Sequence, residues 1–305
     1  MIDPVLLQIL TGMAESGFQL PDPLTATSLR AALDTPMPGA KVPVAEVRDV
    51  RIGGVGARLY HPAPGQALPV AFLMHGGGWV IGTLETADNM ARRLADQSGC
   101  AVVSLDYRLA PEHPFPAPLD DCRAAVAALP SQAAELGLRA EGYAVIGDSA
   151  GGNLAAAVAL ALAGRADAPL RQVLCYPVID RRFDTESYLA AGDTGVLTPG
   201  MMRFFWDQYV GDAEPEPLAA PIRASSLAGL APATIILAGL DPLHDEGLAY
   251  ALALRKAGVA ADVHDFAGAV HGFASFAGLA PIGDQAVALA AAALKAALAP
   301  PAAGS

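Results

Sequence analysis

The chain has 305 residues, 53% of them hydrophobic, with a formal net charge of −12. This composition supports a large buried core and excludes a disordered chain. The acidic balance speaks against nucleic acid as the main partner, since phosphate binding needs a basic face, and against an anionic membrane surface.

Residues 1–40 read as two short helices with a proline-rich exit, DTPMPGAKVP. They carry Asp3 and no basic n-region, so no signal peptide is expected. The three cysteines, Cys100, Cys122 and Cys175, make no C-x-x-C pair. They offer neither a zinc knuckle nor a disulfide framework and fit a reducing cytoplasm, with Cys100 and Cys175 as core residues. Two alternating runs, VPVAEVRDVRI and VGARLYHP, are split by Gly53-Gly54, a hairpin signal.

Beyond them apolar strands alternate with helices. The strands are PVAFLMH, CAVVSLDY, YAVIGD, RQVLCYP and ATIILAG; the helices begin near Thr86, Pro118, Ser149, Leu243 and Pro281. Near-continuous apolar strands between helices mean a mostly parallel sheet covered on both faces, an α/β fold. Residues 180–220 interrupt the alternation without a strand. There Thr198-Pro199 starts a helix carrying Met201, Met202, Phe204, Phe205, Trp206 and Tyr209. It is either an ordinary crossover or a cap over a site, and its Met and aromatic content favours the cap. The Ala-rich tail is broken by Lys295 and reads as a packed helix. No uninterrupted apolar stretch reaches the roughly 18 residues of a membrane span.

The stretch LMHGGGWVIG, residues 73–82, places three glycines after an apolar strand. A Walker loop would need a following lysine, and a dinucleotide fingerprint would need its third glycine one position earlier. An oxyanion hole needs a nucleophile elsewhere, and one is present. VIGDSAGGN contains Gly147-Asp148-Ser149-Ala150-Gly151, a G-x-S-x-G between a strand and a helix. A sharp strand-to-helix turn lifts the serine oxygen clear of the sheet, and the helix N-terminus favours developing negative charge.

An acid and a histidine should follow in that order. Asp241 stands at the end of ATIILAG, where sites of open α/β sheets gather. Its rivals Asp245 and Glu246 fall in a first helical turn, where favourable charge at a helix N-terminus accounts for them. His271 lies beyond the last strand, ADVHDFAGAV, beside Gly272; His264 lies mid-strand, and His244 is too close to Asp241 in sequence. His61 and His113 lack supporting context. A metal reading of Asp241, His244, Asp245 and Glu246 has no H-E-x-x-H beside it.

Together HGGGWVIGTLETADNMARRLA, VVSLDYRLAPEHPFPAPLDD, GDSAGGNLAAAVAL, YPVID, AGLDPLHDEG and HGF resemble, in order, the blocks of the bacterial hormone-sensitive-lipase-like esterases of the α/β-hydrolase superfamily. The resemblance runs from about Val70 to the C-terminal helix. It implies an α/β-hydrolase catalytic domain over 41–305, with cap helices in 1–40 and a cap insertion at about 180–220. It implies Ser149 as nucleophile, His271 as general base and Asp241 as orienting acid, with the amides of Gly76, Gly77 and Ala150 as the oxyanion hole. Trp79, Asp148, Phe205, Trp206 and Phe273 are expected at the substrate pocket, although plain packing serves equally for Trp79. The resemblance also makes YRLAPEHPFP a scaffold for the glycine loop, with Ala110–Pro111 and Phe115–Pro116 expected to be cis. Family members often carry arginine where this chain has His244.

The implied activity is hydrolysis of short- to medium-chain carboxylic esters, with a small-molecule ester as partner and no cofactor or metal. No nucleic-acid or membrane partner is expected; a homodimer stays open. Two alternatives remain: a non-catalytic small-ligand receptor of the same fold, and an amidase or carbamate hydrolase using the same three residues.

Overall fold

Eight strands form one twisted sheet in the order β1-β2-β4-β3-β5-β6-β7-β8. The structure, a computed structural model, describes residues 1–36, 41–191 and 196–299. Residues 37–40 and 192–195, which belong to the two expected cap segments, lie outside the described residues. The strands are β1 (Glu46–Ile52), β2 (Val55–His61), β3 (Leu68–Met74), β4 (Ala101–Asp106), β5 (Leu138–Asp148), β6 (Arg171–Cys175), β7 (Ala233–Leu240) and β8 (Ala261–Val270). The expected hairpin is β1–β2; β2 runs antiparallel to β1 and β4, and every other pairing is parallel.

Helices cover both faces: α3 (Leu84–Ser98), α4 (Ala117–Leu136), α5 (Ala150–Ala161), α8 (His244–Lys256) and α9 (Pro281–Leu298). Strand alternation divides the core. Val70, Phe72 and Met74 of β3 join one cluster with α4, α5 and α8, while Ala71 and Leu73 join another with α3 and α9. Helix α3 starts two residues before the expected Thr86, because Thr83 caps it and pairs reciprocally with Thr86. By length and composition α9 could cross a bilayer, but Ala286, Val287, Ala290, Ala291 and Leu294 are buried in the second cluster. The three cysteines are buried and free. Ala110–Pro111 and Phe115–Pro116 are both cis, as is Asp22–Pro23.

The remaining helices gather around the strand ends. Helix α1 (Pro4–Glu15) is held by Asp3 N–H on Gly268 O at 2.8 Å and by buried Leu6. Helix α2 (Ala26–Leu33) seats Leu29 in the cluster that holds Trp79, Val80 and Ile81. After β6 come α6 (Glu186–Ala191) and α7 (Pro199–Tyr209), the latter capped by Thr198 with Pro199 in its first turn.

Candidate active site

Strand β5 ends at Asp148 and α5 begins at Ala150, which leaves Ser149 alone in the turn with φ 54 and ψ −121. Such a conformation costs a non-glycine residue about 1–3 kcal/mol and persists only when its surroundings over-determine it. They do so here. Ser149 N–H donates to Cys175 O at 2.9 Å, and Ser149 O accepts from Val178 N–H and Asn153 N–H, both at 3.1 Å. Buried Asn153 then donates through Nδ2 to Val178 O and Ala219 O. Glycine is required on either side. A Cβ on Gly147 would strike the carbonyl of Gly151, and one on Gly151 would strike the carbonyls of Met74 and His75.

Three distant stretches converge on that turn. His271 Nε2 lies 2.9 Å from Ser149 Oγ, and His271 Nδ1 lies 2.6 Å from Asp241 Oδ2. Asp241 is anchored through Oδ1, which accepts Leu243 N–H at 2.9 Å. With Asp241 ionised, Nδ1 carries the proton and donates, leaving Nε2 free to accept from the serine hydroxyl. The carboxylate is fully enclosed while the imidazole keeps 12% of its side-chain surface exposed. The edge of Tyr176 supports the ring at a centroid distance of 5.0 Å.

The rival residues have other partners. His244 bridges Asp245 and Asp265 at 3.1 Å each, and Asp245 caps Ser187 N–H at 2.8 Å. Glu246 accepts Ile179 N–H at 2.7 Å in a buried site, and burial pushes its carboxyl well above the usual range. Besides standing in the first turn of α8, it thus links that helix to the backbone after β6. His264 sits mid-strand in β8, opposite Ile236. His61 binds Gly137 O, and His113 is exposed.

The glycine loop corrects one expectation. Gly76 N–H is already taken by Asp148 Oδ1 at 2.8 Å, so it is not an open donor. The register Met74↔Gly147 carries Gly76 past the end of the β3–β5 ladder, next to Asp148. Among the described residues, the amides of Gly77, Gly78 and Ala150 have no protein acceptor. Gly78 thus stands where Gly76 was expected. Gly77 has φ 120, and a Cβ there would meet Ile81 O. Burial lifts the Asp148 carboxyl to about 6, against the pull of Gly76 N–H and of His271.

The loop's other backbone groups are fastened. Gly77 O accepts from Val80 N–H and Ile81 N–H at 3.0 and 2.9 Å, and Trp79 O accepts from Ala110 N–H at 2.9 Å. Tyr107 Oη donates to His75 O at 2.7 Å and its ring stacks on His75 at 4.3 Å. The YRLAPEHPFP segment contributes both Tyr107 and Ala110.

A cavity of about 200 Å³ opens beside this loop, lined among others by Asp34, His75, Gly77, Asp148 and Tyr176. None of Ser149, Asp241 and His271 lines it, and of the five residues expected at the substrate pocket only Asp148 does. Trp79 is fully buried and lies flat on Tyr209 at 4.1 Å, near Trp206 at 4.8 Å. The ring of Phe205 packs against Gly78, and Phe273 packs on Phe266 and Tyr176. Large rings contribute the most apolar area, and here that area is spent on the core under the loop. Gly78 and Tyr176 had no role in the sequence reading, whereas Tyr107 opens the YRLAPEHPFP segment that the resemblance makes a scaffold for this loop.

A family model described as the alpha/beta hydrolase fold matches residues 71–275. The carboxylic ester hydrolase LipN of Mycobacterium tuberculosis is 39% identical over 290 residues, covering 89% of this chain and 77% of that protein. The ethyl acetate hydrolase of Pseudomonas putida is 38% identical over 223 residues, covering 71% of this chain and 70% of its own. The solved structure of an esterase from Pyrobaculum calidifontis has a TM-score of 0.86 at 36% identity, covering 98% of this chain and 100% of that one. Fold, site and relatives together define a carboxylic ester hydrolase. The chain belongs to the hormone-sensitive-lipase-like, family IV esterases of the α/β-hydrolase superfamily.

Proposed function

We propose that the protein hydrolyses short- to medium-chain carboxylic esters through an acyl-enzyme on Ser149. The observation that carries this is the hydrogen-bond chain Ser149–His271–Asp241 beside the open amides of Gly77, Gly78 and Ala150. Ser149 Oγ attacks the ester carbonyl carbon while His271 Nε2 takes its proton. The carbonyl oxygen becomes an oxyanion held by the three amides, each donor worth about 3 kcal/mol in the transition state. His271 returns the proton to the departing alkoxide, and the alcohol leaves. Water then attacks the acyl carbon with His271 again as base, releasing the acid and restoring Ser149. Asp241 keeps Nδ1 protonated and stabilises the imidazolium; it takes no proton itself.

The relative named for ethyl acetate supports the short end of the chain-length reading.

The test is a panel of p-nitrophenyl esters from acetate to palmitate, run on the wild type and on Ser149→Ala. The wild type should favour the short- and medium-chain esters and the variant should lose turnover with its circular dichroism unchanged. Activity rising steadily to palmitate would refute the chain-length reading, and turnover by Ser149→Ala would refute the nucleophile.

A further inference from the structure

We infer that Arg30 on helix α2 and Asp34 at its C-cap are positioning residues for the oxyanion amides of Gly77 and Gly78; this rests on the esterase reading above. From the sheet side the loop is pinned by Asp148, Tyr107 and Ala110. Its outer half, Val80 to Gly82, is held from the other side by α2. Arg30 Nε donates to Val80 O at 2.8 Å and Arg30 Nη2 donates to Ala110 O at 2.9 Å. Asp34 Oδ1 accepts Gly82 N–H at 2.7 Å.

The guanidinium therefore sits across the seam where the two loops meet, next to the Ala110 N–H···Trp79 O bond. Glu112 fixes its plane with two contacts of 2.7 Å, the fork geometry that arginine supplies and lysine does not. Trp79 at φ 61 makes the loop turn sharply between the amides and these anchors. A rotation of the Val80 carbonyl would be passed back through Gly77 O, which holds Val80 N–H and Ile81 N–H. Displacing the donors by about 1 Å from the oxyanion is enough to cost roughly a hundredfold in rate.

Helix α2 contributes little else. Leu29 is its one fully enclosed side chain, and its caps close on themselves through Thr25 and Ser28. Its polar contacts outside the helix, by contrast, run to the glycine loop and the segment that carries it.

The experiment compares wild type, Arg30→Met, Arg30→Lys and Asp34→Ala as full chains. It measures kcat and KM on p-nitrophenyl butyrate, affinity for a trifluoromethyl ketone that forms a tetrahedral adduct on the serine, and Tm. Arg30→Met should lower kcat at least about tenfold with KM within about threefold, and ketone affinity should fall by the same factor as kcat/KM. Asp34→Ala should do so more weakly, and Arg30→Lys should recover part of the loss by reaching one carbonyl. An unchanged kcat and ketone affinity in an active background would overturn the inference, as would a change confined to KM or Tm. An inactive wild type would instead overturn the esterase reading, which separates the two failures.

Discussion

Replacing Asp148 with asparagine removes a charge from beneath the glycine loop while keeping an oxygen for Gly76 N–H, now 2.8 Å away. Burial raises this carboxyl from an ordinary 3.8 to about 6. An acid whose native pKa is raised binds more protons folded than unfolded between those two values, so wild-type stability declines as pH climbs from about 4 to about 6. The difference of roughly two pKa units amounts to about 3 kcal/mol at neutral pH. That figure is an upper bound, because Asp148 also faces the cavity and water there screens it. Asparagine cannot ionise and escapes the decline. The gap between Asp148→Asn and wild type should be smallest at pH 4.5 and widen with pH, with Asp148→Asn ahead by up to about 3 kcal/mol at pH 7.5, or roughly 6 °C in Tm. Urea unfolding of both proteins across pH 4.5–8 measures the gap directly. A gap independent of pH, or one favouring wild type above pH 6, would refute the assignment of a disfavoured charge at this position.

Two further outcomes follow from neighbouring groups. Burial works to lower the His244 pKa, but bonds to Asp265 and Asp245 outweigh it and the net shift is upward. Its stabilisation is thus complete below the ordinary 6.5 and fades as pH rises through the higher folded value. The Tm advantage of wild type over His244→Gln should be widest below pH 6.5 and should close on going alkaline, with a size of about 1 kcal/mol or less for a pair this exposed. At Glu246, burial favours the neutral acid, so Glu246→Gln should unfold at nearly the same urea concentration as wild type at pH 7. Glu246→Ala strands Ile179 N–H in a buried site and should cost about 1–3 kcal/mol.

The Ser149–His271–Asp241 hydrogen-bond chain was legible because each member sits at a strand exit with a local signature. Ser149 has its flanking glycines, Asp241 closes β7, and His271 follows β8 beside a glycine. What the sequence could not convey was direction across the chain. A run of Trp, Phe and Met reads the same whether its rings face a pocket or the core. Trp79 and Trp206 point inward and stack under the loop, and no periodicity in so short a helix distinguishes the two. The choice between Gly76 and Gly78 depended on strand register, which sends the first amide to Asp148. Strand β5 begins at Leu138, earlier than its apolar run suggests, because residues 139–141 that follow are exposed and break the run. Arg30 and Asp34 act over separations of 80 and 48 residues, and a helix with one arginine near its end gives no hint of that reach. Glu246 looked like an ordinary first-turn acid because burial is a property of the finished fold.

The helix behind Ser149 shapes how this enzyme could be adapted to new esters. Every residue from Ala150 to Ala159 is buried, and Ala155, Ala156 and Ala157 have no exposed surface at all. A larger side chain there has nowhere to go except by lifting the helix, and the Ser149 hydroxyl would travel with it. Variation in substrate preference is therefore steered outward, to the peripheral helices whose side chains can change size without disturbing the turn at Ser149.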